Sequence, residues 1–199
     1  AFSHLNVVTI YDFGVAAGNR AFLVMELLDG VDLRTELRAK DVLPPQRVVE
    51  VMRGVCAALE AAHQRGLMHR DIKPENIFLA RHTGLEIPKV LDFGLAKWLS
   101  LSVAATQTVT ETNGHQLAGT LRYMSPEQLR GDDPSASWDL WALTVVAYEM
   151  LTGKYPFPGA TVAEWQVNVA AGRFMQLIPA SWQDFFSYAL AGDQQRRPR

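Results

Sequence analysis

Cysteine is almost absent: Cys56 is the single one in 199 residues. One thiol makes no internal disulfide, and without a second cysteine there is no thiolate pair for a zinc site. An excess of charge is lacking too. Lys and Arg number 19 against 21 Asp and Glu, a formal net charge of −2. No bulk field therefore draws the chain to nucleic acid or to an anionic bilayer. Long apolar runs are also missing. The most apolar stretch, residues 138–151, is broken by Asp139 and Glu149, and it is too short and too charged to span a bilayer. The opening residues have neither the basic start nor the apolar run of a signal peptide. Internal repeats and low-complexity tracts are not seen. These absences point to a reducing, cytoplasmic compartment and leave any attraction for a phosphate-bearing ligand to local groups. The remainder is ordinary for a globular domain. Hydrophobic residues make up 48 % and charged residues 20 %, in a length able to bury a substantial core.

The pattern along the chain predicts strands first and helices after, an α+β order. Two antiparallel strands are expected at Val7 to Tyr11 and Ala21 to Glu26, parted by Gly14 and Gly18-Asn19. A short helix follows near Asp32 to Lys40. Pro44-Pro45 opens a long helix ending near Gly66, with Val48, Met52, Val55, Leu59 and Ala62 on one face. Cys56 falls in this apolar pattern and is expected to be a buried core thiol. Short strands are expected at Ile77 to Ala80 and Lys89 to Leu91. Leu95 to Met124 has no sustained periodicity and reads as a long loop, with Thr106, Thr108, Thr110 and Thr112 at alternate positions. The helix after Asp133-Pro134 is apolar nearly all round and should be buried. Two more helices are expected near Val162 to Ala171 and Trp182 to Leu190.

Chemistry concentrates in His69-Arg70-Asp71-Ile72-Lys73-Pro74-Glu75-Asn76, a loop between a helix and a strand, and in Asp92-Phe93-Gly94. Hard Mg²⁺ prefers carboxylate and amide oxygens, which Asp92 and Asn76 supply. Asp71 can orient a hydroxyl and accept its proton, and Lys73 can neutralise charge on a phosphoryl group in transfer.

These two stretches resemble the catalytic loop and the metal-binding motif of eukaryotic-type serine/threonine protein kinases, in wording closer to bacterial members than to animal ones. The resemblance runs over nearly the whole chain. It implies a protein-kinase fold with an incomplete small β lobe and a mostly helical large lobe. Residues 1–30 would hold the remaining small-lobe strands and hinge. Residues 31–199 would hold the helical lobe with its catalytic loop and activation segment. The implied cofactors are ATP and Mg²⁺, and the implied partners are proteins presenting Ser or Thr. Asp71 would be the catalytic base, Lys73 the charge stabiliser, and Asn76 with Asp92 the metal ligands. Met25-Glu26-Leu27-Leu28 resembles the hinge, with Met25 as gatekeeper and the Glu26 and Leu28 backbones facing adenine. Asp32 matches the ribose contact and Phe78 the floor of the adenine pocket. Lys73 and Thr120 agree with Ser/Thr specificity, Thr120 on the substrate side. Arg70 and Lys97 match cations that bind a phosphorylated activation-loop residue, for which Thr106, Thr108, Thr110 and Thr112 are candidates. His69 is expected to pack under Phe93 and to hydrogen-bond backbone, while His4, His63, His82 and His115 are assigned no role. Tyr123-Met124-Ser125-Pro126-Glu127 resembles the end of the activation segment, with Ser125 where Ala is commoner. Its Glu127 is expected to pair with Arg197. Thr144 stands where the family usually has Gly.

The chain departs from the family on the nucleotide side. No Gly-x-Gly-x-x-Gly precedes the first strand, and the ATP-anchoring lysine and its glutamate partner are absent. The resemblance thus implies a fragment of a longer kinase, weak in binding Mg-ATP and inactive on its own. The alternative is a truncated pseudokinase serving as a protein-binding module. A gene remnant that does not fold stably is a third reading. No membrane segment is expected in this chain, whatever anchors a longer parent.

Overall fold

A computed structural model describes residues 2–16, 18–93 and 119–198, with backbone only at 119–120. Strands β1 (Ile10–Ala16) and β2 (Arg20–Met25) form an antiparallel hairpin in the register Ile10 to Met25 and Ala16 to Arg20. The hairpin starts later than the sequence predicts. Val7 and Val8 are not part of it: both are buried, and they lie along the helical lobe. Their backbone is held there by Val8 N–H to the Val90 carbonyl and Val90 N–H to the Asn6 carbonyl. Apolar burial fixes this segment more strongly than its β propensity does.

A second sheet joins β3 (Gly30–Asp32), β4 (Ile77–His82) and β5 (Leu85–Val90) in the antiparallel order β3-β4-β5. The sequence reading has no strand at Gly30–Asp32, because three residues show no period. Gly30 has φ 140°, and a Cβ there would sit 2.1 Å from the Leu79 carbonyl oxygen. Only glycine lets the two strands approach this closely.

Helix α1 (Leu33–Lys40) begins at Asp32, whose Oδ1 accepts the Thr35 N–H at 2.8 Å. Helix α2 (Pro45–His63) starts at a proline and buries Val48, Val51, Val55, Ala58, Leu59 and Ala62. Met52 is partly buried on its edge. Cys56 is exposed rather than buried. It follows Val55 by about 100° of helix rotation, on the flank of the buried stripe.

Helix α3 (Pro126–Arg130) is capped by Ser125, whose Oγ accepts the Gln128 N–H at 3.2 Å. A serine serves there as an N-cap in a way alanine cannot. Helix α4 (Ala136–Thr152) is the centre of the lobe: Val145, Val146, Ala147, Tyr148 and Met150 are fully buried. Gly153, left-handed at φ 66°, ends it. Within α4, Thr144 satisfies its hydroxyl on the Leu140 carbonyl at 2.8 Å, so a side chain fits where the resemblance expects Gly. Helices α5 (Val162–Ala170) and α6 (Ala180–Ala189) complete the lobe, with Trp165 and Phe186 buried in the common core.

Candidate active site

The stretch from His69 to Asn76 hangs from a single carboxylate. Asp139, on the first turn of α4, is 1 % exposed. Its Oδ2 accepts the His69 N–H at 2.9 Å and its Oδ1 the Arg70 N–H at 2.7 Å. His63, at the end of α2, places Nε2 2.8 Å from Oδ2. His63 therefore has a partner that sequence spacing did not reveal. These bonds hold Arg70 at φ 69°, a left-handed conformation that costs a non-glycine residue on the order of 1 kcal/mol. The sharp turn delivers Asp71 to the surface, where its side chain is 40 % exposed.

His69 is buried and its two nitrogens are both engaged. Nε2 lies 2.7 Å from the Leu91 carbonyl, and Nδ1 lies 3.2 Å from the Asp71 amide nitrogen. A carbonyl needs a donor and an N–H needs an acceptor, so the ring is neutral with its proton on Nε2. Its ring meets Phe93 edge to face, centroids 4.9 Å apart. Both ring nitrogens of His69 are thus taken up by backbone, as the resemblance implies.

Around Asp71 three side chains converge. Lys73 Nζ lies 2.7 Å from Asp71 Oδ2. Asn76 Nδ2 donates to the Asp71 carbonyl at 2.7 Å and to Oδ2 at 3.2 Å. Asn76 is nearly buried, in the 3-10 turn Pro74–Asn76 that leads into β4. With Nδ2 turned to Asp71, Oδ1 is the atom it can present to a cation. The Leu91 N–H donates to the Asn76 carbonyl at 2.9 Å, which ties Asp92, the next residue, to the same turn. Asp92 itself is held at φ 60°. Among the described residues no three His, Cys, Asp or Glu gather into a metal cage. An amide oxygen and a carboxylate are the partial, hard-oxygen set suited to Mg²⁺, which takes its other ligands from phosphate and water.

On the nucleotide side, Glu26 is anchored twice. Its amide donates to the Thr9 carbonyl at 2.9 Å. Its Oε1 accepts the Thr9 N–H at 2.7 Å and the Lys89 ammonium at 2.8 Å. Burial opposes this carboxylate's charge, but Lys89 and Thr9 outweigh it and hold its pKa below the ordinary value. The carbonyl is then the group Glu26 can offer to a base. Leu28 is half-buried in the connection to β3. The β3–β4 register sets Phe78 opposite Asp32. Both Asp32 carboxylate oxygens serve Thr35, one its N–H and the other its hydroxyl at 2.9 Å, so a ribose would share them with the helix cap.

Thr120 lies in the 3-10 turn Gly119–Tyr123, just before α3. Lys97, Thr106, Thr108, Thr110 and Thr112 lie outside the described residues. The expected pair of Glu127 and Arg197 is formed and buried, with bonds of 2.7 and 3.0 Å. Arg197 also stacks over the Trp141 ring at 4.4 Å.

A family model described as protein kinase domain matches residues 1–198. The chain belongs to the protein kinase family. Among curated relatives, it is 40 % identical over 162 residues to a protein of Mycobacterium leprae named serine/threonine-protein kinase PknB. Those residues make up 80 % of this chain and 25 % of that protein. It is 41 % identical over 162 residues to the Mycobacterium tuberculosis protein of the same name, with the same coverage. It is 44 % identical over 155 residues to serine/threonine-protein kinase Pkn1 of Myxococcus xanthus, which is 77 % of this chain and 21 % of that protein. The kinase lineage is thus of the bacterial serine/threonine type, and the α+β fold is the protein-kinase fold. The chain spans about a quarter of the length of the mycobacterial relatives.

Proposed function

We propose that the protein containing this chain transfers the γ-phosphoryl group of ATP to Ser or Thr hydroxyls of other proteins. The observation that carries the reading is the hydrogen-bonded trio of Asp71, Lys73 and Asn76, with the Asp71 carboxylate reaching solvent. Asp71 orients the incoming hydroxyl and accepts its proton as the new O–P bond forms and the bond to the β-phosphate oxygen breaks. Lys73 places positive charge against the oxygens of the group in transfer. Asn76 and Asp92 hold Mg²⁺, which when bound neutralises phosphate charge. Glu26 and Leu28 present backbone to adenine, Asp32 meets ribose, Phe78 supports the base, and Thr120 faces the substrate. The names of the mycobacterial and myxococcal relatives support the Ser/Thr class.

Regulation follows from the same reading. Arg70 and Lys97 would receive a phosphate on Thr106, Thr108, Thr110 or Thr112, and phosphopeptide mapping that finds none between residues 100 and 120 removes this part. Among the described residues no helix is long and apolar enough to cross a membrane.

The test is transfer from γ-labelled ATP by the full-length protein and its Asp71→Asn variant. The variant should lose about 10²–10⁴-fold in rate, the usual worth of a positioned base, with unchanged circular dichroism. Equal turnover would sink the assignment and leave a protein-binding module as the reading to pursue.

A further inference from the structure

One partly buried guanidinium is not used by the phosphotransfer groups, yet it joins three separate parts of the lobe. Arg34 sits on α1, two residues after Asp32. Its Nε donates to Glu75 Oε1 at 2.8 Å and its Nη1 to Glu149 Oε1 at 2.6 Å. Its Nη2 donates to the Tyr123 hydroxyl, which donates in turn to Glu149 Oε2 at 2.6 Å. Glu75 is the residue before Asn76, inside the turn Pro74–Asn76. Glu149 belongs to the buried helix α4, and Tyr123 closes the turn that contains Thr120. Burial opposes the Arg34 charge, but the bonds to Glu149 and Glu75 outweigh it and hold its pKa above the ordinary value.

The bond to Glu149 has a plain structural explanation. That carboxylate is 7 % exposed, and a buried charge requires a partner. The bond to Glu75 does not have one. Glu75 is 46 % exposed, and an ion pair so open to water adds little stability. What it does is geometric, since it fixes the turn whose next residue grips Asp71 and offers Oδ1 to the metal. A planar fork of five N–H donors can reach three partners in three directions, which a lysine ammonium on its single stem cannot.

We propose that Arg34 is a positioning residue for phosphoryl transfer: through Glu75 it sets the Asn76 turn, and through Tyr123 and Glu149 it locks that turn to the end of the activation segment and to α4. The proposal rests on the phosphotransfer reading and adds a residue that acts through others, without touching substrate or metal.

The full-length protein should be compared with Glu75→Ala, Arg34→Lys and the double variant. Glu75→Ala strands no buried charge, so its fold survives even if Arg34→Lys is impaired. Two quantities are read: the Mg²⁺ concentration giving half-maximal rate, and amide hydrogen exchange across residues 72–76. In Glu75→Ala the half-saturating Mg²⁺ should rise about tenfold, the usual effect of removing a group that orients a ligand, with exchange at 72–76 accelerated. The double variant should be no worse than Arg34→Lys alone, because both remove one tie. An unchanged Mg²⁺ dependence in Glu75→Ala, or additive effects in the double variant, overturns the proposal whatever the melting temperatures do. If the unmodified protein transfers no phosphate, the phosphotransfer reading fails and takes the catalytic purpose of Arg34 with it. Exchange at 72–76 then decides the tie itself: acceleration upholds it and no change removes it.

Discussion

The β1–β2 hairpin and helix α4 are opposite extremes of one chain. In β1 and β2 no residue is fully buried, and Tyr11, Phe13, Val15, Phe22 and Val24 are exposed. In α4 twelve residues are buried, among them the polar Asp139, Thr144 and Glu149. Burial decides what each region can do. The hairpin is held by its own ladder and has little packing beneath it. The α4 helix can keep charges in fixed places because its surroundings give them no other partner. The reactive groups belong to neither element, but they are hung from the buried one, Asp71 through Asp139 and Asn76 through Arg34 and Glu149. A site built this way owes its geometry to the helical lobe.

The comparison breaks first at the buried pairs. Arg197→Met removes the partner of a buried carboxylate and its stacking on Trp141, and should cost about 3–5 kcal/mol in urea unfolding. A loss within 1 kcal/mol would show that water reaches Glu127. The same pair predicts a pH dependence. Burial disfavours the Glu127 charge, but Arg197 and Ser137 outweigh it and hold its pKa below the ordinary 4.5. A depressed folded value means the unfolded chain binds the proton more readily. The stabilisation is complete above pH 4.5 and is lost as pH falls through the depressed value. Acid titration of stability should show a shallower fall in Arg197→Met across that window.

Smaller effects are expected away from the lobe. Ser125→Ala deletes the cap of α3 and should cost about 1 kcal/mol, read as a lowered midpoint. Phe13→Ser on the hairpin and Cys56→Ser on the flank of α2 should each stay within about 0.5 kcal/mol. A large loss at Phe13 would mean that the hairpin is packed after all and that the contrast with α4 is overstated.

How much was legible in advance follows the same division. The α4 helix was readable because apolar residues on every side admit no surface position. The stretch from His69 to Asn76 was readable because its residue types are costly outside chemistry, while the contact of Lys73 and Asn76 with Asp71 is a finding of the structure. The pair of Glu127 and Arg197 came from family resemblance alone, since two charges 70 residues apart carry no local signal. Cys56 is exposed against expectation because an apolar period does not show where the buried stripe ends. β propensity marks Val7 and Val8 as strand-forming but does not name their partner, which is Val90 rather than the hairpin. Arg34, His63 and the role of Asp139 were not legible. Each is a common residue whose meaning lies in atoms from distant segments, and only the packing of α1, α2 and α4 brings those together.

The central claim is that Asp139 suspends the catalytic turn, and Asp139→Asn tests it most directly. Asparagine keeps the shape but turns an amide donor toward one of the N–H or imidazole groups that the carboxylate now accepts. Hydrogen exchange at His69 and Arg70, measured in the full-length protein alongside phosphotransfer, should accelerate. The rate should fall on the order of 10²-fold, the cost of misplacing a reacting group by about 1 Å. Unchanged exchange with an unchanged rate would mean that the turn holds its left-handed geometry without Asp139, and the account of how this site is built would be wrong.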